Sequence, residues 1–248
     1  MAGHSAWKNI KHKKAAADAK RGKLWSKAAR LIIVAAKTGG GDPDANLALR
    51  YAIDDAKAVN MPKDTIEKAI KKGTGELQAE SYEATVYEGY GAGGVAMMLD
   101  LLTDNRNRTA PEIKKIFERH GGNLGTTGCV GYLFNTRGEV LVPKSAADED
   151  TLTLAVLDAG ADDVADAGES WQVQCEPAAT QAVRKAVEAA GLPVESSGLT
   201  RIPTTTVTVT GDTAAKVLAL VEELEDHDDV QKVYANFEVP EEEMAKLG

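Results

Sequence analysis

Nine Lys and Arg residues fall in the first 30 positions: Lys8, Lys11, Lys13, Lys14, Lys20, Arg21, Lys23, Lys27 and Arg30. The only acid among them is Asp18, so this head carries a net +8 in a chain whose total is −9. Clustered ammonium and guanidinium groups neutralise phosphates and release the counterions condensed on a polyanion, which drives binding to nucleic acid. Lys20, Lys23, Lys27 and Arg30 recur at helical spacing and form a basic stripe beside an apolar one, so one side of the helix can pack while the adjacent side meets a backbone of phosphates. His12 sits inside the cluster, and Trp7 is placed to stack on an unpaired base. Trp25 is expected half-buried. A membrane surface is the competing polyanion, but an interfacial helix needs bulky apolar residues opposite its lysines, and residues 8–23 offer mostly Ala and Ile10. A solvated tail is the plain alternative.

A second stretch with binding chemistry is DNRNR, residues 104–108. Asn105, Arg106, Asn107 and Arg108 put two guanidiniums and two amides in one loop between a strand and a helix, suited to phosphate and base-edge contact. The same residues also suit a simple turn, in which Asp and Asn bond the backbone.

Catalytic and metal chemistry is not expected. Gly89, Gly91 and Gly94 match G-x-G-x-x-G, yet the apolar VAMMLDLL that follows reads as a strand, where a dinucleotide site needs a helix N-terminus. A glycine-rich hairpin is the expectation. His4, His12, His120 and His227 lack metal-ligand spacing to Cys129 or Cys175, and His120 is placed to complement a helix dipole before Gly121. The acids between Asp148 and Glu169 read as a solvated face. No cofactor, metal or active centre is called for. Two cysteines make no disulfide framework, and neither a membrane span nor a secretory leader is visible, which points to the cytoplasm.

The elements that must carry these residues change character along the chain. Residues 31–77 hold seven bases and seven acids, whereas residues 78–248 hold 13 and 30, so the charge asymmetry lies at one end. Helices are expected from Lys23 to Gly39, with Leu24, Ala28, Leu31, Ile32 and Ala35 inward, from Asn46 to Asn60, and from Pro62 to just before Gly73. After that the period shifts. Strands are expected at Tyr82–Tyr90 and Val95–Leu102, then a helix opened by a Thr109–Glu112 capping box, with Ile113, Ile116 and Phe117 inward. CVGYLF and EVLVP follow as strands. Thereafter helices at Thr151–Ala159, Ala179–Ala190 and Asp212–Glu225 alternate with strands at Trp171–Cys175, near Val194, at Thr204–Thr210 and at Val230–Val239. The fold class is α+β: a three-helix N-terminal domain and two α/β units of ferredoxin-like kind. How strands are shared between the two units is not legible from pattern alone.

MAGHSAWKNIKHKKAAADAKRGK, GGGDPDAN, MPKDTIEKAIKKGTGEL, YEGYGAGGVA, TDNRNRTAPE and HGGNLGTTGCVGYLF together resemble, in order and spacing, the YebC/PmpR family. That family includes the mitochondrial translational activator of cytochrome oxidase subunit I. The resemblance implies a helical domain over 1–77, a second domain from 78–134 and 204–240, and a third over 135–203 inserted into it. It implies no catalysis and a DNA-binding transcriptional regulator. For some members it implies instead a ribosome-associated factor that grips ribosomal or transfer RNA and relieves stalling on proline-rich chains. The family usually reads HSKW, whereas here Ala6 precedes Trp7 and Lys8 follows it, so the charge is displaced by two positions. The acidic α/β body would stay off nucleic acid and offer a surface to a protein partner. Oligomeric state is left open.

Overall fold

The structure, a computed structural model, describes residues 17–78, 80–240 and 242–243. The chain folds as two compact units, one of them built from Ala16–Leu133 with Thr205–Gly248, the other holding Phe134–Thr204. The second is thus inserted into the first along the chain.

The first unit opens with three helices, α1 (Ala17–Gly39), α2 (Leu47–Ala58) and α3 (Lys63–Thr74). Their core is Ala28, Ile32, Ile33, Ala36, Leu49, Ala52, Ala56, Met61, Ile66 and Ala69. The inward face of α1 is turned from the expected one: Leu24 is exposed, and Ile33 and Ala36 are buried in its place. α1 packs on both α2 and α3 through Ala28, Ile32, Ile33 and Ala36, a face that leaves Leu24 outside its edge. Trp25 is half-buried as expected, with its indole N–H donating to the Val59 carbonyl at 3.0 Å.

The GGGDPDAN turn is built around Asn46. Its carboxamide oxygen caps α2 by accepting from the Leu49 N–H at 3.1 Å, and its NH2 donates to the carbonyls of Ala35 and Gly40 at 2.8 Å each. A Cβ on Gly39 would lie 2.6 Å from that carboxamide. Asn46→Ala removes a cap and leaves two carbonyls without their donor, so a loss of about 2 kcal/mol is expected in urea denaturation. A loss below about 0.5 kcal/mol would contradict this role. At the far end α3 runs through Gly73, past the expected stop, because a Cβ there would meet the Ile33 carbonyl at 2.5 Å and the glycine permits that contact. Gly75, at φ +85°, is the actual terminator.

The unit continues with β1 (Glu83–Tyr90), β2 (Ala96–Thr103), α4 (Arg106–Arg119) and β3 (Asn123–Leu124). The inserted unit contains β4 (Phe134–Pro143), α5 (Glu149–Val156), β5 (Ala161–Asp166), β6 (Ser170–Cys175), α6 (Thr180–Ala189) and β7 (Ser196–Pro203). Its order β5-β6-β4-β7, with β6 antiparallel between β4 and β5, is the ferredoxin-like split βαβ. Its core is Val140, Val142, Leu152, Val156, Val173, Cys175, Val183 and Val187.

The first unit resumes after the insert with β8 (Val207–Thr208), α7 (Gly211–Asp226), β9 (Val230–Ala235) and β10 (Phe237–Glu238). Its sheet order is β3-β1-β2-β9, all antiparallel neighbours, and β10 pairs with β8 in parallel. This is the same split βαβ plan, with one inner strand, β1, moved to the head of the chain. The expected strand at 204–210 is reduced to β8, and the one at 230–239 is split at Asn236, whose side chain accepts from the Ala96 N–H. GYGAGG is a tight hairpin connection between β1 and β2, as its apolar sequel predicted.

Candidate nucleic-acid interface

Of the head residues, Trp7, Lys8, Lys11, His12, Lys13 and Lys14 lie outside the described residues, and Lys20 is placed only as part of the first turn of α1. Arg21 is exposed on α1. The rest of the stripe points at the end of α7. The Lys23 ammonium donates to the Asp226 carboxylate at 2.8 Å and to its carbonyl at 3.3 Å. Lys27 donates to the Glu225 carbonyl at 2.5 Å, and Arg30 to the Asp228 carbonyl at 2.6 Å. A helix C-terminus carries unpaired carbonyls and a partial negative charge, which cations at this spacing satisfy. Lys23, Lys27 and Arg30 therefore serve α7 as a cap borrowed from another helix. The hydrogen bond to Asp226 pushes the Lys23 pKa up, so that ammonium stays charged.

Beneath this cap lies Asp229, 1% exposed. One carboxylate oxygen accepts from Arg30 at 2.9 Å, and the other from Arg108 at 2.6 Å and from the Thr109 hydroxyl at 2.7 Å. A carboxylate only accepts, so a chain of donors runs from the Asn105 N–H to the Thr103 hydroxyl, to Thr109 and to Asp229. Burial raises the Asp229 pKa, but the bonds from Thr109 and Arg108 and the charges of Arg108 and Arg30 outweigh it and hold the carboxyl below the usual range. Arg30 also lies over the Tyr82 ring, 5.2 Å from its centre.

The residues of DNRNR thus do not form a free loop. Asn105 is the N-cap of α4, accepting from the Arg108 N–H at 3.2 Å, so the helix starts at Arg106, ahead of the expected Thr109–Glu112 capping box. Thr109 is buried and committed to Asp229. Arg108 bridges Asp229 and Asp104, and Arg106 pairs with Glu83 at 2.9 Å. Asn107 is exposed. The two candidate groups of the sequence, the α1 stripe and the 104–108 segment, meet at Asp229, where a cleft of about 440 Å³ is lined by Lys23, Arg30, Arg108, Glu112 and the turn Asp226–Asp229. Sequence reasoning misses the turn DHDD. An acidic cluster at a helix end, where basic residues are the norm, is the available signal.

The HGGNLGTTGCVGYLF segment is likewise tied down by contacts within the fold. Its CVGYLF part is a turn and a short 3-10 helix, not the expected strand, because it wraps a buried carboxylate. Glu88 accepts from the N–H groups of Gly128, Val130 and Gly131 at 2.7, 2.8 and 2.8 Å. Burial, then the charge of Glu88, pushes the Cys129 thiol up, which leaves it protonated and a poor nucleophile. His120 pairs with Glu223 at 2.6 Å, and His227 with Glu112 at 3.2 Å. Among the described residues no cluster of His, Cys, Asp and Glu is arranged to hold a metal, and no helix is long and apolar enough to cross a membrane.

Family comparison accounts for nearly the whole chain. Residues 5–76 match the model of the TACO1/YebC N-terminal domain, and residues 82–237 that of the TACO1/YebC second and third domain. The chain belongs to the TACO1/YebC family. Relatives from Persephonella marina and Citrifermentans bemidjiense, each named a probable transcriptional regulatory protein, are both 53% identical over the full length of both chains. The crystal structure of a conserved hypothetical protein from Aquifex aeolicus is 48% identical, covers 94% of this chain and 96% of its own, and superposes with a TM-score of 0.86. The YebC resemblance in the sequence is thereby established, and so is the α+β fold class.

Proposed function

We propose that this protein is a non-enzymatic, DNA-binding regulator of transcription. The observation that carries the reading is the charge asymmetry: +8 in the first 30 residues, against 13 bases and 30 acids after residue 77. The names of the relatives support it. Because Lys23, Lys27 and Arg30 are engaged at the end of α7, phosphate contact falls chiefly on Lys8, Lys11, Lys13, Lys14 and Lys20, with Trp7 and His12 among them. The acidic α/β part repels phosphate and leaves its own surface to protein partners.

One observation favours a second reading, an RNA-binding factor at the ribosome. Neither α2 nor α3 carries Asn or Gln, and the sole Arg of the two, Arg50, is tied to the Pro43 and Asp44 carbonyls. Neither helix therefore offers an Asn, a Gln or an unengaged Arg for base edges, which suits contact by lysine with the backbone.

The test is the affinity of the full-length protein for a mixed-sequence DNA duplex and a matched RNA across a salt series. Reversing Lys8, Lys11, Lys13 and Lys14 to Glu should lower the log–log salt slope by about 3 to 4, near 0.9 per phosphate contact. An unchanged slope would overturn the assignment of the head. Tighter binding to RNA than to DNA at every salt concentration would favour the second reading.

A further inference from the structure

The bundle carries a second basic surface that the charge count of the sequence hides, since residues 31–77 are neutral as a whole. On α3, Lys68, Lys71 and Lys72 stand at i, i+3 and i+4, all exposed, opposite the buried Ile66 and Ala69. Residues at this spacing form one patch on a helix. Other lysines nearby are engaged: Lys57 with Asp54, Lys63 with Glu67 and Lys37 with the Ser81 hydroxyl. Two acids of α3 and its sequel are engaged elsewhere, and Asp64, exposed one turn before Lys68, forms no ion pair with it among the described residues. Glu67 faces Lys63, and Glu76 accepts from the Thr74 hydroxyl. Three adjacent ammoniums with no carboxylate among the described residues paired to them repel one another, a cost that a row of phosphates relieves.

We propose that the Lys68–Lys71–Lys72 face is a second contact to the backbone phosphates of the DNA duplex gripped by the head, an inference that rests on the nucleic-acid reading above. Charge complementarity names the occupant, and the geometry fits it. Gly73 places the end of α3 against Ile33 and Ala36 of α1. At 1.5 Å per residue, Ile33 lies about 18 Å along α1 from Arg21. That is about half a turn of duplex. A head contact alone would fix one point of the backbone, whereas two contacts fix the direction in which the duplex leaves.

The experiment uses the full chain with all three lysines changed to Ala, substitutions that keep the exposed helix intact. Binding to a mixed-sequence duplex several turns long should weaken about thirtyfold at moderate salt, and the salt slope should fall by about 2 to 3. A control, Lys114→Ala with Lys115→Ala on the exposed face of α4, should weaken it less than about threefold. An unchanged slope in the α3 variant, with the parent still binding, overturns the α3 contact and leaves the head reading standing. An equal loss in the control overturns it too, by reducing the effect to net charge. A parent that binds no duplex overturns both readings, and a loss confined to RNA overturns the choice of occupant.

Discussion

Asp229→Ala is expected to cost about 3 kcal/mol of stability, measured by urea denaturation. The carboxylate is buried and receives Arg30, Arg108 and Thr109 at once, so its removal takes from two guanidiniums and a hydroxyl the one acceptor they share. Breaking a buried pair from one side costs about 3–5 kcal/mol. The low end applies because Arg108 is 45% exposed and can turn to water. Lys23→Ala, which removes an exposed ion pair with Asp226 and a long bond to its carbonyl, should cost less than about 1 kcal/mol. Acid titration gives an independent check. A carboxyl whose pKa is depressed in the native state adds stability above its unfolded value, near about 4, and loses it as pH falls through the lower native value. The gap in urea midpoint between parent and Asp229→Asn should therefore be full at neutral pH and narrow steadily below about pH 4. A constant gap through that range would show that the carboxylate's charge is not what holds the network together.

Glu88→Ala should cost about 3 kcal/mol as well, for a different reason. Three backbone N–H groups converge on this one buried carboxylate, and a truncated side chain leaves all three without an acceptor. Glu88→Gln should recover little, since its NH2 would meet N–H donors that the carboxylate accepts from. The readout specific to this site is Cys129, whose thiol is held protonated by burial and then by the Glu88 charge. In Glu88→Ala the loop loosens, and Cys129 should be labelled by a thiol reagent faster than in the parent while Cys175, buried in the other unit, is unchanged. Equal rates at Cys129 would mean that the loop holds its shape without the carboxylate.

The chain displays its local structure more readily than its long-range partners. α1, α2 and α3 are readable because Gly39, Pro62 and the apolar spacing are local signals, and so is the GYGAGG hairpin, from the strand that follows it. β5 escapes a reading by pattern because its sequence ADDVAD looks like an acidic run: an edge strand with exposed faces shows no apolar alternation. Thr109 with Glu112 imitates a capping box at the start of α4, while the true cap, Asn105, sits among residues equally suited to a turn. In the candidate site the cations are legible and their partners are not. Lys23, Lys27 and Arg30 find the end of α7 about 200 residues later in the chain, a separation that no periodicity reports. The α3 lysines stay hidden for the opposite reason. Their charge cancels against Asp42, Asp44 and other acids in a count along the sequence, whereas α3 by itself carries four Lys against Asp64 and Glu67.

The central claim, that this chain works by holding nucleic acid through its basic helical region, is tested most directly in living cells. The protein is crosslinked in place, and both the DNA and the RNA recovered with it are sequenced, alongside the variant in which Lys8, Lys11, Lys13 and Lys14 are reversed to Glu. The account predicts enrichment of discrete promoter segments with the parent and its loss in the variant. Recovery of neither nucleic acid above background, or undiminished recovery with the variant, would contradict it.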